Sequence, residues 1–320
     1  MLIGESGATF FTDGRYVAQA REEISGARIV LARKAPALAA AESIAASRRG
    51  RRAGRLGIEP QAVTVGQREP ISAVVKGKWK LVSAPPLIER ARMIKDNDEI
   101  RLIRGAIELG AELFRTARKK IRPGVREVEV AAAMEYEARR AGAEGMSFST
   151  IIAAGKRSAV VHGRASEARI PRRGFVVCDF GVILRGYCSD RTRTVHVGSA
   201  SRTARQMYEA VLEAQQAAIA SVGPGASAAE VDRAARKVLG RHHLARYFTH
   251  STGHGLGLEI HEAPRLAAGQ TQRLEPGMVI TIEPGAYIPG NQGVRIEDVV
   301  VVTSKGCEVL TATDKELVII

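Results

Sequence analysis

One order of elements occurs twice in this chain, and that repetition restricts the possible folds more than any overall composition does. A helical stretch with Ile100, Ile103, Ile107 and Phe114 at helical spacing stops at Pro123-Gly124, and a second, with Val128, Ala131 and Met134, runs to Gly142. An apolar strand pair follows over roughly 175–196. The second pass starts with a helix carrying Met207, Val211 and Ala214 and reaches Pro224-Gly225. It continues through a helix that opens at the capping-box pattern Ser227-x-x-Glu230 and ends at Gly240, then a strand pair over roughly 278–302. The passes stand about 100 residues apart. Amphipathic helices that alternate with strand pairs bury their apolar faces on a sheet. The pattern therefore predicts two related α/β halves that meet at a central sheet, with a site between them.

Residues 1–88 follow another rhythm. Short apolar runs (Thr9-Phe10-Phe11, Ala27 to Leu31, Leu56-Gly57-Ile58) alternate with helical stretches such as Tyr16 to Ile24, which predicts a small α/β domain of its own. Pro85-Pro86 and a charged segment mark the boundary, and a larger domain over 89–320 has its first long helix at Asp96, where Asp96-x-x-Glu99 is a second capping-box pattern. A content of 45% hydrophobic and 26% charged residues belongs to a folded globular chain. No apolar run approaches the roughly 18 residues of a membrane span. Met1-Leu2-Ile3 leads into Gly4-Glu5-Ser6 without the basic start and long apolar core of a signal peptide, so a cytoplasmic protein with no membrane partner is expected. Three cysteines, Cys178, Cys188 and Cys307, without CxxC spacing, indicate neither a disulfide framework nor a thiolate zinc site. The net charge of +14 is spread along the chain, part of it in Arg48-Arg49-Gly50-Arg51-Arg52 and Arg172-Arg173, without aromatic interleaving. That distribution reads as a solvated face, and no nucleic-acid partner is expected.

The strand pairs carry acids where apolar residues would be expected. Asp179 lies on Phe175-Val176-Val177-Cys178-Asp179-Phe180 and Asp190 on the returning segment after Arg185-Gly186, the two symmetric about position 184.5 at that turn. A simple hairpin makes them direct cross-strand neighbours on one face. Like charges so placed are destabilising unless neutralised, which a pair of divalent cations about 3.5–4 Å apart would do. Glu283 and Glu297 repeat the arrangement about Gly290, and strand alternation places Thr281 and Arg295 on the same faces as supporting partners. Between the hairpins lies His250-Ser251-Thr252-Gly253-His254-Gly255-Leu256-Gly257-Leu258-Glu259-Ile260-His261-Glu262. Its glycines argue for a loop that approaches a ligand closely, and it contains no HExxH helix motif. Three of the seven histidines within twelve residues point to function. One imidazole with four carboxylates is a hard, oxygen-rich set suited to Mn, Co or Fe more than to structural zinc. The chemistry it suggests is hydrolysis by a metal-bridging hydroxide.

These segments resemble the M24 metallopeptidases, the group of Xaa-Pro aminopeptidases, prolidases and methionine aminopeptidases. The resemblance covers about 90–320. It rests on Val177-Cys178-Asp179-Phe180-Gly181, Cys188-Ser189-Asp190-Arg191-Thr192-Arg193-Thr194, His250-Ser251-Thr252-Gly253-His254-Gly255, Ile282-Glu283-Pro284-Gly285 and Val294-Arg295-Ile296-Glu297-Asp298. It implies the pita-bread α/β fold and two divalent ions, with Mn first and Co, Fe or Zn as alternatives, held by Asp179, Asp190, His254, Glu283 and Glu297. Glu283 is then also the proton shuttle, His162 and His261 contact the scissile peptide, and His250 is a further substrate-side histidine of the Xaa-Pro branch. Phe11-Thr12-Asp13-Gly14-Arg15-Tyr16 is similar to part of the creatinase-type leading domain of that branch. It lies so near the start that a shortened domain, lacking its first helix and strand, is expected. Lys156-Arg157 departs from the uncharged residues more usual near the substrate-side loop.

The activity implied is hydrolysis of the N-terminal Xaa-Pro bond of a proline-containing peptide or dipeptide by a homodimeric enzyme. Both aminopeptidase and prolidase action stay open, because they differ in how the pocket closes on the far end of the substrate. A metal-independent creatinase-like hydrolase is disfavoured by five filled ligand positions. A non-catalytic module holding peptides or a partner on the same fold is the rival from another class; loss of ligands or histidines would mark it, and none is lost.

Overall fold

Parallel strand pairs organise the first of two compact units, Met1–Leu87, in the computed structural model, which describes residues 1–46, 54–311 and 314–320. The Arg48 to Arg52 stretch lies outside the described residues. Strand β1 (Leu2–Gly4) pairs antiparallel with β2 (Gly7–Thr12), and the chain crosses through α1 (Val17–Glu23) to lay β3 (Ala27–Leu31) parallel to β2. Helix α2 (Pro36–Ala46) precedes β4 (Gly54–Ile58), whose parallel partner β5 (Trp79–Ser83) is reached through α3 (Val65–Val75). Parallel neighbours require such crossovers, which is why helices and short apolar runs alternate here. Ala41, Ile71 and Val75 form the core, covered by Leu56, Trp79 and Leu81.

The second unit, Ile88–Ile320, is built on the repeat. Helix α4 (Leu87–Met93) leads to α5 (Asn97–Lys120), where the Asp96 carboxylate accepts the N–H groups of Asp98 and Glu99 while Glu99 accepts that of Asp96. Both halves of the capping box are thus made. Arg118, Lys119 and Lys120 fill the last turn of α5, where positive charge complements the helix dipole, and Pro123 prevents its continuation. After α6 (Glu127–Arg140) come β6 (Gly145–Met146), β7 (Ile151–Ala154), β8 (Gly174–Phe180), β9 (Val182–Leu184), β10 (Tyr187–Cys188) and β11 (Arg191–Val197). Strands β11, β8 and β7 form one sheet in that order. Leu113, Ala117, Val130 and Met134 of the helices pack on its Ile152, Val176, Cys178 and Val195.

The second pass gives α7 (Arg202–Ala220) and α8 (Ala228–Arg241), the latter with a complete Ser227/Glu230 capping box. Strands β12 (Gly253–Gly255), β13 (Glu262–Leu266), β14 (Val279–Ile282), β15 (Gly285–Ile288), β16 (Gln292–Arg295), β17 (Asp298–Val302) and β18 (Cys307–Val309) follow. The larger sheet runs β13-β12-β14-β17-β18, and Val211, Ala214, Val231 and Leu239 pack on its Ile280, Ile282 and Val300. His254 therefore lies on a short central strand, where the glycine-rich sequence reads as loop.

Two expectations need correction. The first hairpin turns about Arg185-Gly186, so Asp179 faces Thr192 and Asp190 lies beyond the end of β11, diagonal to Asp179 instead of opposite it. The cause is a register set by the tight β9–β10 end, with Arg185 at φ 51° and Gly186 at φ 79°. The expected single central sheet is also divided: among the described residues the second unit has four hydrogen-bonded sheets, β10-β9-β6, β11-β8-β7, β13-β12-β14-β17-β18 and β15-β16. The second hairpin keeps one register on both sides of Glu283 and Glu297, yet the pair makes no ladder bonds to each other. The Glu283 N–H goes instead to the Thr252 carbonyl (2.8 Å) and the Glu297 N–H to the Thr192 carbonyl (3.2 Å). The hairpin is pinched open at its acids, and the freed groups stitch it to the neighbouring segments.

Leu239 has no solvent exposure, so Leu239→Ala should cost about 2–5 kcal/mol by opening a cavity. Ser227→Ala, which removes a cap, should cost about 1 kcal/mol. Urea denaturation followed by circular dichroism reads both.

Candidate active site

Arg295 sits at the centre of the polar cluster. Its buried guanidinium donates to Asp179 Oδ2, to Thr192 Oγ1 (3.0 Å), to Tyr287 Oη (2.7 Å) and to the Val161 carbonyl (3.2 Å). Burial opposes the charge, but Tyr287, Asp179 and Glu283 outweigh it and hold Arg295 well above the ordinary arginine value. One cation therefore orients Asp179 and also grips the residue before His162.

Among the described residues, Asp190, Glu283 and Glu297 form no ion pair with an arginine or lysine. His254 Nε2 lies 3.6 Å from Asp190 Oδ2 and 3.5 Å from Glu283 Oε1. One ligand atom each from Asp190, His254 and Glu297 falls within 4.8 Å of the others. Glu297 Oε2 accepts from Thr192 Oγ1 (2.8 Å), while Glu297 Oε1 and Asp190 Oδ1 are buried with no hydrogen-bond partner among the described residues. Burial first, then the charges of the neighbouring carboxylates, raise Asp190 and Glu283 well above the usual range and push Glu297 to about 8. His254 cannot supply the missing positive charge, because burial lowers it to about 4. Its Nδ1 lies 2.9 Å from the Gly255 carbonyl, so that nitrogen carries the proton and Nε2 presents its lone pair to the acids. Thr281 accepts the His254 N–H (3.1 Å) and lies 3.5 Å from Glu283 Oε1. Orphaned oxygens beside a correctly oriented imidazole form a donor set that divalent cations fit.

The remaining histidines surround this cluster. The His261 ring stands edge-on to that of His254 with centroids 4.4 Å apart, and burial lowers its pKa, with His162 adding to the effect. His250 Nδ1 lies 2.8 Å from the Ser251 carbonyl and Nε2 lies 2.9 Å from Tyr287 Oη. Burial, with Arg295 next, lowers His250 to about 4. The exposed His162 follows the 3-10 turn Gly155–Ala159. The Arg157 of that turn is directed to buried Glu127 (3.0 Å), which also accepts the N–H groups of Ala154 and Ser166, so this charge braces the His162 loop.

Tyr287 was missed in the sequence. It bridges His250 and Arg295, and strand alternation puts it on the face of Glu283 with only Gly285 between them. A Cβ at Gly285 would come within 2.4 Å of the phenol oxygen, so the glycine is what lets the ring fold back. That alternation was the available signal.

Comparison with known proteins finds relatives across both units. Residues 101–304 match the model of metallopeptidase family M24, and 1–94 match that of the creatinase/prolidase N-terminal domain. A Pyrococcus furiosus Xaa-Pro dipeptidase is 47% identical over 72% of this chain and 66% of its own. The structure of an Xaa-Pro dipeptidase from Bacillus anthracis superposes with a TM-score of 0.93 at 41% identity, covering 99% of this chain and 88% of that one. An X-Pro aminopeptidase from Thermotoga maritima gives 0.88 at 33% identity, covering 99% and 89%.

The raised acids predict an unusual pH response. A carboxyl with a higher pKa folded than unfolded keeps its proton only in the native state, so stability falls as pH rises towards the folded value. Histidines buried neutral act oppositely, but only up to their ordinary value of 6.5. Metal-free protein should therefore lose stability between pH 6.5 and about 8, on the order of 1 kcal/mol per pH unit for each retained proton. Urea midpoints in chelator should fall across that window, Glu297→Gln should flatten the slope, and added Mn²⁺ should abolish it.

Proposed function

The chain belongs to metallopeptidase family M24, and from that premise we propose that it hydrolyses Xaa-Pro dipeptides with two divalent ions, manganese first among them. It is a metal-dependent peptidase with a pita-bread catalytic domain behind a creatinase-type N-terminal domain. The observation that carries the finer reading is the set of buried, unpartnered carboxylate oxygens at Asp190 and Glu297, facing the free Nε2 of His254.

In this reading Asp179, Asp190, His254, Glu283 and Glu297 hold the ions. When bound, these polarise the scissile carbonyl and make water acidic enough to attack it near neutral pH. Glu283, at the edge of that set, can take a proton from the attacking water and pass it to the leaving proline nitrogen. His162 and His261 stand at the rim and donate to the oxygen on which charge develops. His250, fixed by Ser251 and Tyr287, contacts the proline side. Arg295 and Thr281 orient Asp179 and Glu283. Dipeptide action is favoured over aminopeptidase action by similarity to the two Xaa-Pro dipeptidases. Among the described residues no helix is long and apolar enough to cross a membrane, and a cytoplasmic homodimer completes the proposal.

Chelator-stripped protein restored separately with Mn, Co, Fe or Zn should cleave an Xaa-Pro dipeptide, fastest with Mn, and leave Xaa-Pro-Yaa and Met-Ala peptides intact. Asp190→Ala should abolish activity, and Tyr287→Phe should reduce kcat about 10- to 100-fold as a partner of ligand-orienting groups. Release of the first residue from the tripeptide would make the enzyme an aminopeptidase. Confirmed binding of two ions with no cleavage of any peptide would replace the proposal with a peptide-binding role. Sedimentation of the same sample reads the dimer.

A further inference from the structure

Directly after His261 the chain turns inward. The segment between β12 and β13 exposes Leu258, Glu259 and His261, and among the described residues few backbone bonds hold it: Leu256 N–H to the Val279 carbonyl (3.3 Å), Gly257 N–H to the Glu259 carbonyl (3.1 Å) and Cys188 N–H to the Gly257 carbonyl (2.8 Å). Glu262, by contrast, has a side chain only 6% exposed. Its carboxylate accepts Lys95 Nζ (2.9 Å), Arg92 Nε (3.2 Å) and Nη2 (2.5 Å), and the Glu259 N–H (3.1 Å). The Lys95 side chain is 2% exposed, and the Lys95 N–H is tied to the Gly277 carbonyl (2.9 Å). The loop backbone lies directly on this triad: a Cβ at Gly257 would come within 3.0 Å of both Glu262 carboxylate oxygens and of Lys95 Cε. Buried ion triads add little net stability over apolar residues of equal volume, whereas three directional bonds to one carboxylate fix its position closely.

We propose that Glu262, held by Lys95 and Arg92, is the positioning residue for His261, setting the height of the loop so that the imidazole stands against His254 above the acids. This rests on the reading that His261 contacts the scissile peptide. Misplacement of such a group by about 1 Å can cost about 100-fold in rate.

The test compares Glu262→Gln, the apolar double variant Lys95→Met/Glu262→Met, and each combined with His261→Ala, all in the full-length, metal-loaded protein. Glu262→Gln should lower kcat on the Xaa-Pro dipeptide about 10- to 100-fold with KM little changed, and should add nothing to the loss in His261→Ala. The double variant removes both buried charges and leaves only Arg92, which is 26% exposed and 3.5 Å from Glu259, so it should recover the parental melting temperature but not kcat. Amide exchange of residues 256–262 should be faster in both variants. Recovery of kcat together with melting temperature would reduce the triad to a structural role, and additive losses with His261→Ala would equally overturn the proposal. Should the parental protein cleave no peptide, the activity reading fails by itself. Exchange then decides whether the triad holds the loop, and unchanged protection in the variants overturns that.

Discussion

Mutual repulsion among buried carboxylates is the constraint from which the rest of the second unit follows. Asp190, Glu283 and Glu297 are buried with the acid of Asp179 nearby, and the Arg295 guanidinium beside them makes its ion pair with Asp179. Adjacent residues show what a counter-charge changes. Burial works to raise Asp298, but Arg193 and Lys315 outweigh it and its pKa falls; Glu297, one residue earlier and without such an ion pair, rises to about 8. The protein evidently has the means to neutralise a buried acid and does so on one side of the strand only. On the other side the charge is left for a ligand.

The same economy governs the histidine-bearing segments, each fastened by a buried acid lying away from the cluster. Glu127 braces the His162 loop through Arg157 and Ser166. Asp232 accepts the Thr252 hydroxyl (2.8 Å) and pairs with Arg236, whose guanidinium donates to the carbonyls of Phe248 and His250. Glu262 does the corresponding work beside His261. Glu127 lies on α6 and Asp232 on α8, corresponding helices of the two passes, so two of the three anchors sit on matching helices of the repeat.

Much of this was legible before any coordinates. Helical periodicity, capping patterns and Pro-Gly stops located the helices of both passes because each is a local signal, satisfied within a few residues. The acids stood out because Asp179 interrupts an apolar strand and Glu283 directly follows one. What escaped was set by contacts distant in the chain. The pairing of Asp179 with Thr192 depends on a tight turn two residues removed in register from the simple hairpin. The separation of β15-β16 from β14-β17 depends on Thr252 and Thr192 accepting N–H groups from Glu283 and Glu297, and the role of Tyr287 on a histidine 37 positions away. Arg157 looked like a substrate-side charge because its partner, Glu127, is 30 residues earlier.

The pinched hairpin has a consequence for how the protein is made. Glu283 is bonded to the segment bearing His254, and Glu297 to the segment bearing Asp190, so the ligand set closes only through pairings far apart in the chain. Contacts of that kind form late in folding, after the entropy of long loops has been given up. A nascent chain ending anywhere before residue 283 presents at most two of the four acids, in segments that lack their final partners. If these acids hold the ions as proposed, metal capture is deferred until synthesis and folding are nearly complete, when the fold itself, not the first ion encountered, dictates the geometry of coordination.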